Sequence, residues 1–164
     1  MVSRTGPTMS ALFLLCCVGS WLSSHTSPIR SLQSNEEKHI VEELGFLSKI
    51  LLENFRKGEK KLSTSPNYTL PCFIPNAQPP NNINISAVQT YLRRIRPLSD
   101  NTTTTGEIIE HLDKLAFQNA PETNISMPEA AFEKKRFILT ILQQFVECVD
   151  LVLKSFNSEA QQAT

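Results

Sequence analysis

The chain has 164 residues, 40% of them hydrophobic and 20% charged, with 16 basic side chains against 16 acidic ones. There is no excess positive charge with which to seek a phosphate polymer, which disfavours nucleic acid as a partner. No apolar run approaches the about 20 residues that a membrane-spanning helix needs, so membrane insertion is not expected either.

The first residues point to a compartment. Arg4 precedes the apolar run Ala11 to Val18, and Gly19, Ser20, Ser23 and Ser24 follow, in the charged, apolar and small-residue order of a secretory signal peptide. Residues 1–23 are read as a removed signal, the alternative being a buried amino-terminal helix. Residues 24–164 are read as a single secreted, extracellular domain with enough chain for a core. Cys16 and Cys17 leave with the signal, and Cys72 and Cys148 remain. An even count in a secreted chain argues for a disulfide, although two free or intermolecular thiols stay open. A closed loop of about 77 residues would contribute roughly 4.5 kcal/mol in the chain-entropy model. Sequons stand at Asn67, Asn84, Asn101 and Asn124, all in polar or proline-flanked segments able to carry N-linked glycans.

Residues 24–35 read as a loose arm. Ile40, Leu44, Leu47, Leu51 and Phe55 then recur every three or four positions, the spacing of one helix face, and predict a first helix over 36–57. Glu36 and Glu37 suit its first turn. Gly45 costs on the order of 1 kcal/mol in mid-helix, and Phe46 falls off the stripe as a lateral contact or an exposed aromatic. Prolines 66, 71, 75, 79 and 80 forbid helix through the following stretch, which becomes a long crossover stapled by Cys72.

Ser86 is the expected cap of a short second helix carrying Ala87, Val88, Leu92 and Ile95, stopped at Pro97. Thr104 and Glu107 have capping-box spacing for a third helix, with Ile108, Ile109, Leu112, Leu115 and Ala116 as its apolar stripe and Pro121 at its far end. Ser126 and Glu129 repeat that spacing before a long last helix, whose seam is Phe137, Ile138, Ile141, Phe145, Cys148, Val152 and Phe156. The fold class is therefore all-α, a four-helix bundle, with up-up-down-down topology the natural assignment for a long first crossover.

The stretch EIIEHLDKL, 107–115, concentrates ionisable groups, but chemistry there is disfavoured. Glu107 and His111 stand four apart, whereas a helical di-metal site wants Glu and His three apart, repeated on a second helix. Zinc would need about four ligands, and neither a nucleophile elbow nor a glycine-rich phosphate loop is present. No metal, cofactor or enzymatic activity is expected. Placed at 100° per residue, Glu107, His111 and Lys114 form a stripe along the rim of the core face. That stripe is either a partner surface or solvated charge with Glu107 paired to His111 and Glu110 to Lys114. Glu42 and Glu43 flank the first helix's seam. Lys134, Lys135 and Arg136 begin the last helix at the end where the dipole does not favour cations.

The segments NYTLPC (67–72), AQPPNNI (77–83), EIIEHLDKL (107–115), APETNIS (120–126), KRFILTI (135–141) and QQAT (161–164) resemble the interleukin-31 family of secreted four-helix cytokines, which act through receptors of the glycoprotein-130 class. The resemblance runs the length of the chain and is weakest from Glu53 to Pro66. It implies a monomeric ligand that brings together the interleukin-31 receptor alpha chain and the oncostatin M receptor beta chain. JAK/STAT signalling in immune, epithelial and sensory cells follows, with skin inflammation and itch. By matching motifs it implies that Glu43, Glu107 and His111, with Asp113 beside them, serve the alpha chain, and that Lys135, with Arg136, serves the oncostatin receptor chain. Lys134 departs from the family's familiar form, which has a cysteine just before the Lys-Arg pair; Cys148 is left with Cys72 as its internal mate. The rival reading, a carrier of a small apolar ligand, requires a cavity between the helices.

Overall fold

In the computed structural model, residues 34–75, 82–115 and 125–162 are described, all within one compact unit, Gln33–Thr164. The expected signal and residues 24–33 of the expected arm lie outside them, as do Ala116, Pro121 and Asn124; the arm's last two positions, Ser34 and Asn35, instead belong to the first helix.

Helix α1 covers Ser34–Gly58, with Glu36 and Glu37 in its first turn and Arg56 and Lys57 in its last, the charge order that complements a helix dipole. Its core face is rotated slightly from the expected stripe: Ile40, Val41, Leu44, Ser48, Leu51 and Leu52 are buried, while Leu47 and Phe55 are half-buried. The buried Ser48 hydroxyl donates back to the Gly45 carbonyl at 3.0 Å, which satisfies an otherwise stranded polar group. Gly45 itself marks a close approach, since a Cβ there would come within 3.1 Å of Leu153 Cδ1 and 3.6 Å of Val149 Cγ1.

The crossover follows, laid along the last helix, α4 (Ala131–Gln162). Ser65 N–H donates to Thr140 Oγ1 at 2.9 Å and Leu70 N–H to Gln144 Oε1 at 2.6 Å, while Gln144 Nε2 donates to the Tyr68 carbonyl at 3.0 Å. Three backbone groups of this proline-rich segment are thus satisfied by α4 side chains. The Cys72–Cys148 disulfide, spanning 76 positions, completes the attachment. Beyond it the chain doubles back through a single antiparallel bridge between Phe73 and Ile83, and Asn84 N–H donates to the Cys72 carbonyl at 2.6 Å.

Helix α2 spans Ile85–Ile95 and is capped by Asn84, whose side-chain oxygen accepts from Ala87 N–H at 3.2 Å. The cap is not Ser86, which already lies in the first turn: a side chain one residue outside the helix is the one aimed at its free amides. A 3₁₀ turn, Arg96–Leu98, holds Pro97. Helix α3 covers Thr102–Leu115 and starts earlier than the Thr104/Glu107 spacing suggests. Thr104 Oγ1 donates to Asn101 Oδ1 at 2.9 Å and Thr105 Oγ1 to the Asn101 carbonyl at 3.0 Å, so the threonine run folds back on Asn101 and leaves Thr104 inside the helix. The Ser126/Glu129 box is not used either. Residues 125–130 are not helical, and α4 begins at Ala131.

Directions follow from the paired residues. Along α1 and α4, Lys49 meets Asp150 and Arg56 meets Gln143, so the two oppose each other. Between α2 and α3, Gln89 meets Asp113 and Arg96 lies over Gly106, again antiparallel. The crossover descends with α4, and α2 returns against it, from Cys72 back to the stack of Tyr91 on Phe137. Among the described elements α1 packs on α3 and α4, and α2 on α3 and α4, whereas α1 and α2 do not pack together, nor do α3 and α4. First and second helices on one diagonal and third and fourth on the other are the mark of up-up-down-down topology; an up-down-up-down bundle would put each of those pairs side by side. The core is filled by Leu44, Leu51, Leu92, Ile108, Leu112, Ile141 and Phe145, all under 2% exposed, each burial stabilising by about 1.5–3 kcal/mol.

Candidate functional site

On α3 the core residues Thr105, Ile108, Ile109, Leu112 and Leu115 form one arc, and the ionisable groups of EIIEHLDKL flank it on two edges. His111, with its side chain 18% exposed, faces α1: its Nδ1 lies 3.4 Å from Glu43 Oε2. That nitrogen is shut off from solvent and makes no aligned hydrogen bond. The other oxygen of Glu43 lies 3.5 Å from His39 Nδ1. One α1 carboxylate therefore sits between an imidazole of its own helix and one of α3. The intrahelical pairing of Glu107 with His111 is not formed; the half-buried imidazole faces Glu43 on α1 instead. Glu107, Glu110 and Lys114 are exposed and have no ion pair among the described residues.

Asp113 is on the other edge. Its Oδ1 accepts from Gln89 Nε2 at 2.7 Å and from Arg93 Nη2 at 3.3 Å, tying α3 to α2. The structure thus joins Glu43 and His111, leaves Glu107 exposed one turn before His111 on α3, and sets Asp113 apart. Phe46, one turn beyond Glu43 on α1, is 67% exposed, and is the exposed aromatic among the two possibilities its off-stripe position allowed.

A second charged region lies where α1 ends and α4 begins. Lys135 forms an ion pair with Glu59. Arg136 points inward to the crossover, with Nη1 on Glu133 Oε1 at 3.0 Å, Nη2 on the Thr64 carbonyl at 3.2 Å and Nε on the Ser63 carbonyl at 3.4 Å. Its guanidinium also stands 5.9 Å from the Phe132 ring centroid. Lys134 is half-buried and has no ion pair among the described residues. Tyr68 donates to Glu133 Oε2 at 3.2 Å; desolvation and that hydrogen bond push its phenol above the usual tyrosine range, so it stays a donor. Sequence reasoning missed Phe132, 61% exposed, which with Lys135 lines an open cleft against residues 57–62. Its outward placement depends on where α4 starts, and the misplaced cap concealed that.

Among the described residues no group of three or more His, Cys, Asp and Glu could hold a metal. The cleft at the α1/α4 end is open, and four of its nine lining residues are lysines, unlike the apolar interhelical cavity a carrier needs. No helix among the described residues is long and apolar enough to cross a membrane.

A closed four-helix bundle with a long stapled crossover, a filled core and charged outer faces belongs to the helical cytokine class. The interleukin 31 family model matches residues 24–155, and the chain belongs to that family, one of cytokines and not of enzymes. It is 59% identical over 165 residues to interleukin-31 of Homo sapiens, covering 100% of this chain and 99% of that protein. It is 31% identical over 154 residues to interleukin-31 of Mus musculus, covering 91% of this chain and 93% of the other. No solved structure is significantly similar to the chain.

Proposed function

We propose that the chain is a secreted, monomeric cytokine that bridges the interleukin-31 receptor alpha chain and the oncostatin M receptor beta chain. The juxtaposed cytoplasmic kinases would start JAK/STAT signalling in immune, epithelial and sensory cells. The observation that carries this reading is the separation of two differently charged surfaces on one rigid body. Glu43, His111 and the unpaired Glu107 bind the alpha chain on the α1/α3 side. Lys135, with Phe132 beside it, binds the oncostatin receptor chain at the start of α4. Arg136 acts at the second surface as a positioning residue, bonded to the crossover, and Asp113, on the far edge of α3 from Glu43, supports the first surface only by tying α3 to α2. Opposite charge on the two surfaces lets each receptor chain be chosen by complementarity, and a few central groups dominate each contact.

Asn67, Asn84, Asn101 and Asn124 carry N-linked glycans in this reading. The side-chain oxygens of Asn84 and Asn101 that accept hydrogen bonds are not the amide nitrogen that carries a glycan. The test is binding of the purified protein to each receptor ectodomain alone and then together. A ternary complex with one copy of each supports the reading; a protein able to hold only one chain at any concentration overturns it.

A further inference from the structure

We infer that the cleft between the end of α1 and the start of α4 binds a sulfated polysaccharide of the heparan sulfate class. Four lysines, Lys57, Lys60, Lys61 and Lys135, line it against a single carboxylate, Glu59. That carboxylate is already held by Lys135. Lys57 has only a loose contact, 3.8 Å, with Glu53, both side chains more than 70% exposed. Lys60 and Lys61 are exposed and have no ion pair among the described residues. In a chain whose charges otherwise balance, this is a local excess of cations converging on a concave surface. Such an arrangement attracts a polyanion from solution. A run such as RKGEKK, 56–61, is also the composition of a heparin-type patch.

The chemistry favours polysaccharide over other anions. Lysines are mobile point charges, suited to sulfate groups spaced irregularly along a sugar chain, whereas planar bidentate recognition would call for arginine. The exposed Phe132 ring gives the cleft an apolar wall on which the face of a pyranose can lie. No row of aromatic platforms for stacking bases accompanies it, which argues against single-stranded nucleic acid. Bound in this way, the cytokine is concentrated on cell and matrix surfaces. The polysaccharide shares only Lys135 and Phe132 with the receptor surface proposed above.

The test uses the secreted full chain on immobilised heparin, with elution followed against salt. Lys57→Gln, Lys60→Gln and Lys61→Gln together are expected to lower the eluting salt. They should flatten the slope of log affinity against log salt by about two to three, in line with the release of roughly 0.7–0.9 counterion per lysine removed. The charge-matched triple Arg94→Gln, Lys114→Gln and Lys154→Gln, at exposed positions elsewhere, should elute close to the parent. Equal retention of both triples overturns the site, and equal affinity for heparin and single-stranded DNA of the same charge overturns the ligand class. Because Lys135 is intact in both triples, binding to each receptor ectodomain, measured without heparin, reports separately on the receptor reading.

Discussion

At the scale of single residues, Gly45 and His111 each play a part that helical spacing does not disclose. Gly45 counts as a cost when α1 is considered alone, about 1 kcal/mol against alanine. In the bundle it lets α1 approach α4, with Leu153 only 3.1 Å from where a Cβ would stand. Leu153 is half-buried and can turn aside. Gly45→Ala is therefore expected to be neutral or to stabilise by up to about 1 kcal/mol, whereas Gly45→Val should destabilise by about 2 kcal/mol, because a branched side chain also meets Val149. Urea melts of both variants decide this; a large loss with alanine would mean that Leu153 cannot move. His111 has likewise left its i−4 neighbour Glu107 for Glu43. That exchange frees Glu107 for a partner, so Glu107→Ala should leave stability within about 0.5 kcal/mol. Its affinity for the alpha chain should still fall about tenfold, as read by surface plasmon resonance; unchanged affinity would remove Glu107 from the surface.

At the scale of elements, helix existence was legible and helix beginnings were not. The apolar periods of α1, α3 and α4 are each long enough to outweigh local alternatives, and the residues they pick out are largely the buried ones. Starts went astray where a cap spacing was offered by more than one side chain or went unused. Asn84 caps α2 in place of Ser86, Thr104 lies inside α3 with its hydroxyl on the Asn101 side chain, and α4 begins only at Ala131. The last of these shifts matters for function, because it brings Phe132 and Lys135 onto the first turns of α4. Lys135 stands beside Glu59, and reversing its sign changes the character of that end of the bundle. Lys135→Glu should keep the circular dichroism spectrum and alpha-chain affinity and reduce signalling in receptor-bearing cells at least tenfold. Full signalling by that variant would count against the assignment of the α4 surface.

At the scale of the molecule, the disulfide and the crossover act as one device. Among its described residues the crossover has no helix or strand beyond the Phe73–Ile83 bridge, and it depends on Thr140, Gln144, Arg136 and Cys148 of α4 for its attachment. Cys72→Ser with Cys148→Ser should lower stability by about 2–4 kcal/mol, by returning entropy to the unfolded chain. Protection of crossover amides in hydrogen exchange should fall first, because local opening begins where buried apolar contacts are few. Loss of protection spread evenly over all four helices would contradict that order.

Composition, the apolar periods and the proline-dense crossover were enough to specify an all-helical chain of four segments, and the ordered motif matches were enough to point to its family. These properties depend on residues near one another in sequence, so they survive without knowledge of the fold. Tertiary structure alone decided which charges meet. His111 with Glu43, Asp113 with Gln89 and Arg93, Lys135 with Glu59, and the lysines gathered around Phe132 are all brought together from different elements. Electrostatic partnership is set by distance through space, and helices lying side by side place residues tens of positions apart closer than neighbours one turn away.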